Sequence, residues 1–372
     1  MTSRELLLKT FNCQPTSRIP ISPFIHENFI KAFFDKNDID VVEKTPEVYE
    51  YFGFDLMHRN CTPDYNPIEY EGEDWKVEKR IETIGESETT VTIIETPEGI
   101  LNQVYKVRKV SVYDFEKSPV EYLIKTKGDF LLCKKYQPQI HKIDIASIKR
   151  AKIFTKERGV IAPWIHGVFN YVAYYYRKLD DLLIDALTDE EFYREMMEYF
   201  LEQNKRYADQ LIDAGVDILS YAGNIANSKI ISPEFFRRYI LEYEKTLIDY
   251  IQSRGVIVLY HNCGYARALL PIYNELNVKA YESLTPPPYG DTILEEALNI
   301  LSPQITLLGN IDQISLLRYG SPKEIREKVK ETLYCVKKRG NFILATTDYL
   351  QEDTPYENIF ALANAGKEFG EY

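Results

Sequence analysis

Gly255-Val-Ile-Val-Leu-Tyr-His261-Asn262-Cys263-Gly264 is the stretch from which the fold can be read. Its apolar run, 256–259, has the length and β-branching of a parallel strand covered on both faces. His261 and Cys263 follow at once, spaced i, i+2. In an extended chain both side chains then point to one face, because the side-chain period is two. An imidazole and a thiolate converging from one strand end supply half of a zinc site. A bare His-x-Cys is more often a hydrogen-bonded core histidine beside a small buried hydrophobe. Its place at a strand end brings the two readings level.

Working outward, similar short strands are expected near residues 19, 54, 160, 217, 279, 306 and 342, each followed by helix. Eight strands in βα alternation predict an α/β fold, a (β/α)8 TIM-like barrel. An open doubly wound sheet is the alternative, and no Gly-x-Gly-x-x-Gly turn follows an early strand to favour it. Residues 74–116 have another texture. Trp75-Lys-Val-Glu-Lys-Arg-Ile-Glu, Thr89-Thr-Val-Thr-Ile-Ile-Glu and Gln103-Val-Tyr-Lys-Val-Arg-Lys-Val alternate apolar with polar. They predict an inserted antiparallel β meander, with Thr96-Pro-Glu-Gly99 as a turn. Ser118-Pro-Val-Glu121 has the spacing of a capping box and is expected to open the next helix. No repeat or linker divides the 372 residues, so a single domain, 1–372, is expected.

Composition narrows the function. Net charge is −12, and the basic residues are interleaved with acids, as in Glu324-Ile-Arg-Glu-Lys-Val-Lys-Glu331. Phosphate-backbone binding needs clustered Lys and Arg, so no nucleic-acid partner is expected. No run approaches the ~20 apolar residues of a spanning helix. The five scattered cysteines argue against a disulfide framework. A cytoplasmic protein with no membrane contact is the expectation.

In a barrel, chemistry sits at the C-terminal strand ends. Those positions hold His26, His58, His166, Asn224 with Asn227, His261 with Cys263, Glu282, Asn310 with Asp312, and Asp348. Either Asp348 or Glu282 would complete a three-ligand metal site with an open position. A set of neutral His261, anionic Cys263 and anionic Asp348 cancels the charge of a zinc ion. With a single thiolate, the zinc remains the stronger Lewis acid. Gly-Asn-x-Asp at 309–312 can equally be a turn in which Asn and Asp bond their own backbone. The run Tyr171–Tyr176 is expected to be a buried helix face rather than the wall of a flat pocket.

Several pieces together resemble the uroporphyrinogen decarboxylase superfamily, in its branch of corrinoid-dependent methyltransferases. They are Arg4-Glu-Leu-Leu-Leu with Pro15-Thr-Ser-Arg-Ile-Pro20, Tyr51-Phe-Gly-Phe-Asp55, Thr96-Pro-Glu-Gly99, Ile231-Ser-Pro-Glu-Phe235, His261-Asn-Cys-Gly264, Pro286-Pro-Pro-Tyr-Gly-Asp291, Leu308-Gly-Asn-Ile-Asp312 and Asp353-Thr-Pro-Tyr-Glu-Asn358. The resemblance implies a barrel that moves a methyl group between a small substrate (a thiol, ether or alcohol) and a corrinoid carried by a partner protein, with zinc as cofactor. A second copy of the chain counts among the candidate partners. The expected roles are His261, Cys263 and Asp348 as metal ligands, and Glu282 or Asp312 as proton acceptor or orienter. Asn224, Asn310 and His166 are the candidate substrate contacts. Two departures stand out. Porphyrinogen decarboxylases carry arginines after the first strand, where this chain reads Ser22-Pro-Phe-Ile-His-Glu27. The methyltransferases carry a second cysteine after the last strand, where this chain has Asp348. The metal is then held by His, Cys and Asp, held weakly, or absent. The alternatives are a metal-independent porphyrinogen decarboxylase-like enzyme and a non-catalytic binding barrel.

Overall fold

The computed structural model describes residues 1–84, 87–140 and 142–372. Among them the strands are β1 (Leu56–His58), β2 (Lys76–Ile84), β3 (Ser87–Thr96), β4 (Gly99–Lys109), β5 (Phe115–Glu121), β6 (Gly159–Ile161), β7 (Trp164–His166), β8 (Ile218–Ala222), β9 (Ile257–His261), β10 (Ala280–Ser283), β11 (Thr306–Ile311) and β12 (Phe342–Thr346). The chain divides into two compact units. One comprises residues 1–63, 145–165 and 211–372, the other 64–144 and 166–210. Among the described residues no helix is long and apolar enough to cross a membrane.

The first unit holds the parallel strands. They pair in the order β12-β11-β10-β9-β8-β7, and β1 pairs with β6. Backbone hydrogen bonds carry the pairing round between these two groups. Ala162 N donates to the His58 carbonyl (3.0 Å), Asp217 N to Ile161 (3.0 Å) and Ser220 N to Pro163 (2.9 Å). The short β6 and β7 thus occupy one position in the barrel, interrupted at Ala162-Pro163, where the proline has no N–H to give. On the far side Ile21 bridges Leu344 in parallel. Leu344 N donates to Pro20, Ser22 N to Leu344 and Asp55 N to Ile21. The segment expected as the first strand is therefore a bridge beside Pro20 rather than a ladder, but it keeps the first strand's place. With it, the barrel has the eight expected positions.

Alternation along the strands builds the inner layer. Met57, Val160, Ile218, Leu259, Leu308 and Ile343 share one buried cluster with Leu7 and Phe11 of the helix Ser3–Phe11. That helix starts on a capping box between Thr2 and Glu5. Packing is close where β1 meets β6, since a Cβ on Gly159 would lie 2.0 Å from the Leu56 carbonyl oxygen. The helical segment expected after β9 is divided into a 3-10 turn, Arg267–Leu269, and a short helix, Leu270–Tyr273. Pro271 suits the first turn of a new helix and not the interior of a long one.

The second unit holds the meander, with strand order β2-β3-β4-β5. It runs to Glu121, past the expected end at 116. Ser118-Pro-Val-Glu121 does not open a helix. It belongs to β5, with Ser118 opposite Lys106 and Pro119 opposite Tyr105 beside a register shift. Pro119 is tolerated because β5 is an edge strand. The helix Lys127–Tyr136 opens later, on a capping box between Thr126 and Asp129. Gly85 and Glu86, within the expected meander, lie outside the described residues, as does His141. Tyr171 and Tyr176 are buried, as a helix face requires. Here the turn Val168–Tyr171 continues as a π-type turn, Val172–Tyr176.

Candidate metal centre

β9 pairs with β10 so that His261 lies opposite Glu282. Both side chains follow the phase of Leu259 and Ala280, two residues earlier on the same strands, which point into the core cluster. The register alone places an imidazole beside a carboxylate. His261 Nδ1 lies 2.9 Å from Glu282 Oε1, and the two side chains are buried. Cys263 follows two residues on, and Gly264 after it turns the chain with φ 122°, a conformation that favours glycine. From the end of β12 comes Asp348. Its neighbour Thr347 is fixed by Ile311, whose carbonyl accepts from Thr347 N (3.0 Å), and by Gln313 Oε1, which accepts from Thr347 Oγ1 (2.6 Å).

One ligand atom from each of His261, Cys263 and Asp348 lies within 4.8 Å of the others. The donors are an imidazole nitrogen, a sulfur and a carboxylate oxygen, a set that suits zinc and leaves its fourth position open. Glu282 does not compete for that position. It binds Nδ1 of the imidazole and so leaves Nε2 for the metal, the usual arrangement behind a metal-bound histidine. The residues therefore fit a zinc ion.

Electrostatics agree with the geometry. Burial raises the pKa of Glu282, but the Arg59 charge and the His261 hydrogen bond outweigh it, and the carboxyl is lowered to about 2. Burial disfavours the His261 cation, yet Cys263 and Glu282 draw its pKa above the usual imidazole value. Burial also pushes the Cys263 thiol up against the pull of His261, and Asp348 adds to the rise.

Arg59, which the strand-end reading passed over in favour of His58, is the residue behind Glu282. Its Nη1 and Nη2 donate to the two carboxylate oxygens at 2.8 and 2.5 Å. Its Cζ lies 4.7 Å from the Phe24 ring centroid and 5.3 Å from that of Trp164. The Trp164 ring in turn meets His261 edge-on at 5.3 Å. The signal was an arginine one residue past a barrel strand. His58 itself is a packing residue, buried, with its Nε2–H donating to the Val42 carbonyl (2.9 Å). His26 packs against the rings of Phe24 and Tyr349.

The other expected site residues have partners of their own. Asp312 Oδ1 accepts from the backbone N–H of Ile314 (2.8 Å) and Ser315 (2.9 Å), the turn geometry set beside the catalytic reading above. Asn310 Oδ1 accepts from Thr332 Oγ1 (3.4 Å) of the helix Pro322–Val336. The Asn224 carbonyl accepts from Asn227 Nδ2 (3.2 Å) in the loop after β8. His166 belongs to the second unit, where it stacks on Tyr174 with ring centroids 5.1 Å apart. A cleft of about 780 Å³ opens in the first unit, with Arg59 and Trp164 on one wall and His26, Lys31, Asn60 and Arg150 on others.

Comparison with known proteins adds a lineage to this geometry. A family profile described as "Uroporphyrinogen decarboxylase (URO-D)" matches residues 145–369. A "Methylcobamide:CoM methyltransferase MtbA" of Methanosarcina acetivorans is 22% identical over 219 residues, 59% of this chain and 62% of that protein. One of the same name from Methanosarcina mazei is 22% identical over 255 residues, 68% of this chain and 72% of that protein. The chain thus spans less than two thirds of the first of these relatives. A solved structure titled "methyltransferase from Methanosarcina mazei" superimposes with a TM-score of 0.72 over 99% of both chains, at 15% identity.

Proposed function

The chain belongs to the uroporphyrinogen decarboxylase family, and on that premise we propose that it is a corrinoid-dependent methyltransferase that methylates a small thiol at a zinc centre. The observation that carries this reading is the convergence of His261, Cys263 and Asp348 at the strand ends, with Glu282 behind the imidazole. Bound there, zinc would supply Lewis acidity and make the thiolate form of the substrate accessible at neutral pH. His261, Cys263 and Asp348 would hold the ion and leave one position for the substrate sulfur. Buried Arg59 and half-buried Trp164 cover the back of the centre, and both also line the cleft of the first unit. In the transfer the sulfur–carbon bond forms as the cobalt–carbon bond breaks. The electron pair of the broken bond stays with the corrinoid, and the thiol proton leaves to solvent.

The decarboxylase reading asks for arginines free to hold carboxylates. The two arginines on the cleft are already engaged, Arg59 with Glu282 and Arg150 with Asp40. Purified protein given zinc, methylcobalamin and 2-mercaptoethanesulfonate is expected to consume the methylcobalamin absorbance and form the methyl thioether. Cys263→Ser is expected to lose both the activity and a near-stoichiometric zinc. If no thiol or other acceptor changes the cobalamin spectrum, with zinc and a corrinoid protein present, the reading fails.

A further inference from the structure

We propose that Arg59 is a positioning residue of the metal centre. Held against Phe24 and Trp164, it fixes the Glu282 carboxylate and, through it, the His261 ring, whose Nε2 Glu282 leaves for the metal. This deepens the zinc reading above and rests on it.

A carboxylate on a strand end can rotate about its last side-chain bonds, and one hydrogen bond to Nδ1 would not stop it. Arg59 takes both of its oxygens in a two-pronged contact, which sets the plane of the carboxylate as well as its place. Oε1 is the oxygen shared with His261, so the orientation passes on without slack. Arg59 cannot itself swing, because its side chain is 2% exposed and its guanidinium rests on two rings. Trp164 touches both ends of the relay, the guanidinium and the imidazole. A lysine at this place would keep the charge and lose the fork.

Charge leads to the same residue. Cys263 and Asp348 bring two negative charges, which a zinc ion cancels. Glu282 brings a third, and among the described contacts Arg59 is its counter-ion. With Arg59 present the loaded centre is neutral. Without it, a buried carboxylate is left with His261 alone.

The test measures zinc affinity by competition with a chromophoric chelator, in wild type, Arg59→Met, Arg59→Lys, Glu282→Gln and the double variant Arg59→Met/Glu282→Gln. Loss of an outer partner of a metal-bound histidine weakens binding by about 10- to 100-fold, and Arg59→Met is expected in that range. Arg59→Lys should recover part of the loss. The double variant should bind zinc no worse than Glu282→Gln alone, because Arg59 acts through Glu282. Affinity within about twofold of wild type in Arg59→Met would overturn the proposal, as would equal losses with and without Glu282. A second readout needs no metal. Proton NMR of the metal-free protein should show a nuclear Overhauser contact between the His261 and Trp164 rings that Arg59→Met loses and Arg59→Lys retains. If wild-type protein takes up no zinc, the zinc reading fails. Persistence of that contact in Arg59→Met overturns the role of Arg59 by itself.

Discussion

Asp348 is the residue on which the proposed chemistry turns. Most of the site could be read in the sequence, because each ligand lies within two residues of a strand end and strand ends could be counted. Arg59 could not be read in this way. Its role depends on Phe24, Trp164 and Glu282, from three other strand positions, and no spacing in the chain announces that meeting. Asp312 is the opposite case. The residue type promised chemistry, and its side chain is satisfied by two backbone N–H groups of its own turn. The carboxylate at 348 is a harder ligand than a thiolate and donates less charge to zinc. Asp348→Cys is therefore expected to tighten zinc binding by about tenfold or more and to make the metal a weaker Lewis acid. Chelator competition measures the first effect, and the acidity of a bound thiol the second. An unchanged affinity would place Asp348 outside the coordination set.

At the scale of elements, periodicity carried the strands well, and local motifs carried their ends less well. Ser118-Pro-Val-Glu121 has the right residues for a capping box, but pairing with β4 outweighs that local preference and holds it as an edge strand. The first strand shows the limit from the other side. Pro20 removes one donor, so regular pairing there shrinks to a bridge while the chain still fills the gap beside β12. Where β1 meets β6 there is no such tolerance. Gly159 has φ near 180°, so its backbone suits any residue, and the restriction is space alone. A methyl there must displace the Leu56 backbone. Gly159→Ala is expected to cost about 3 kcal/mol or more, at the upper end for overpacking. Urea unfolding reads this directly, and a loss under about 0.5 kcal/mol would contradict the close approach.

For the whole molecule, acid is the informative stress. Burial holds His58 in the first unit and His166 in the second with pKa values lowered to about 4. In the unfolded chain an imidazole titrates near pH 6.5. The folded state therefore binds fewer protons in between. The contribution of each neutral ring is complete above about pH 6.5 and is lost as the pH falls towards 4. A shift of this size corresponds to at most about 3 kcal/mol for each histidine. Unfolding free energy should fall between pH 7 and pH 5, and His58→Gln should flatten part of that slope. A flat profile in wild type would mean that neither ring is held neutral. The eightfold barrel itself was legible because it is a count of strands, whereas the pairing that completes it through Ile21 and Leu344 is not local to any stretch. The placement of the ligands on β9 and just beyond β12 also sets an order in time. During synthesis His261 and Cys263 leave the ribosome long before Asp348, so the nascent chain can offer only two donors. On the proposed ligand set the centre would be assembled by the last strand to arrive, and metal loading would be a late event that reports a finished fold.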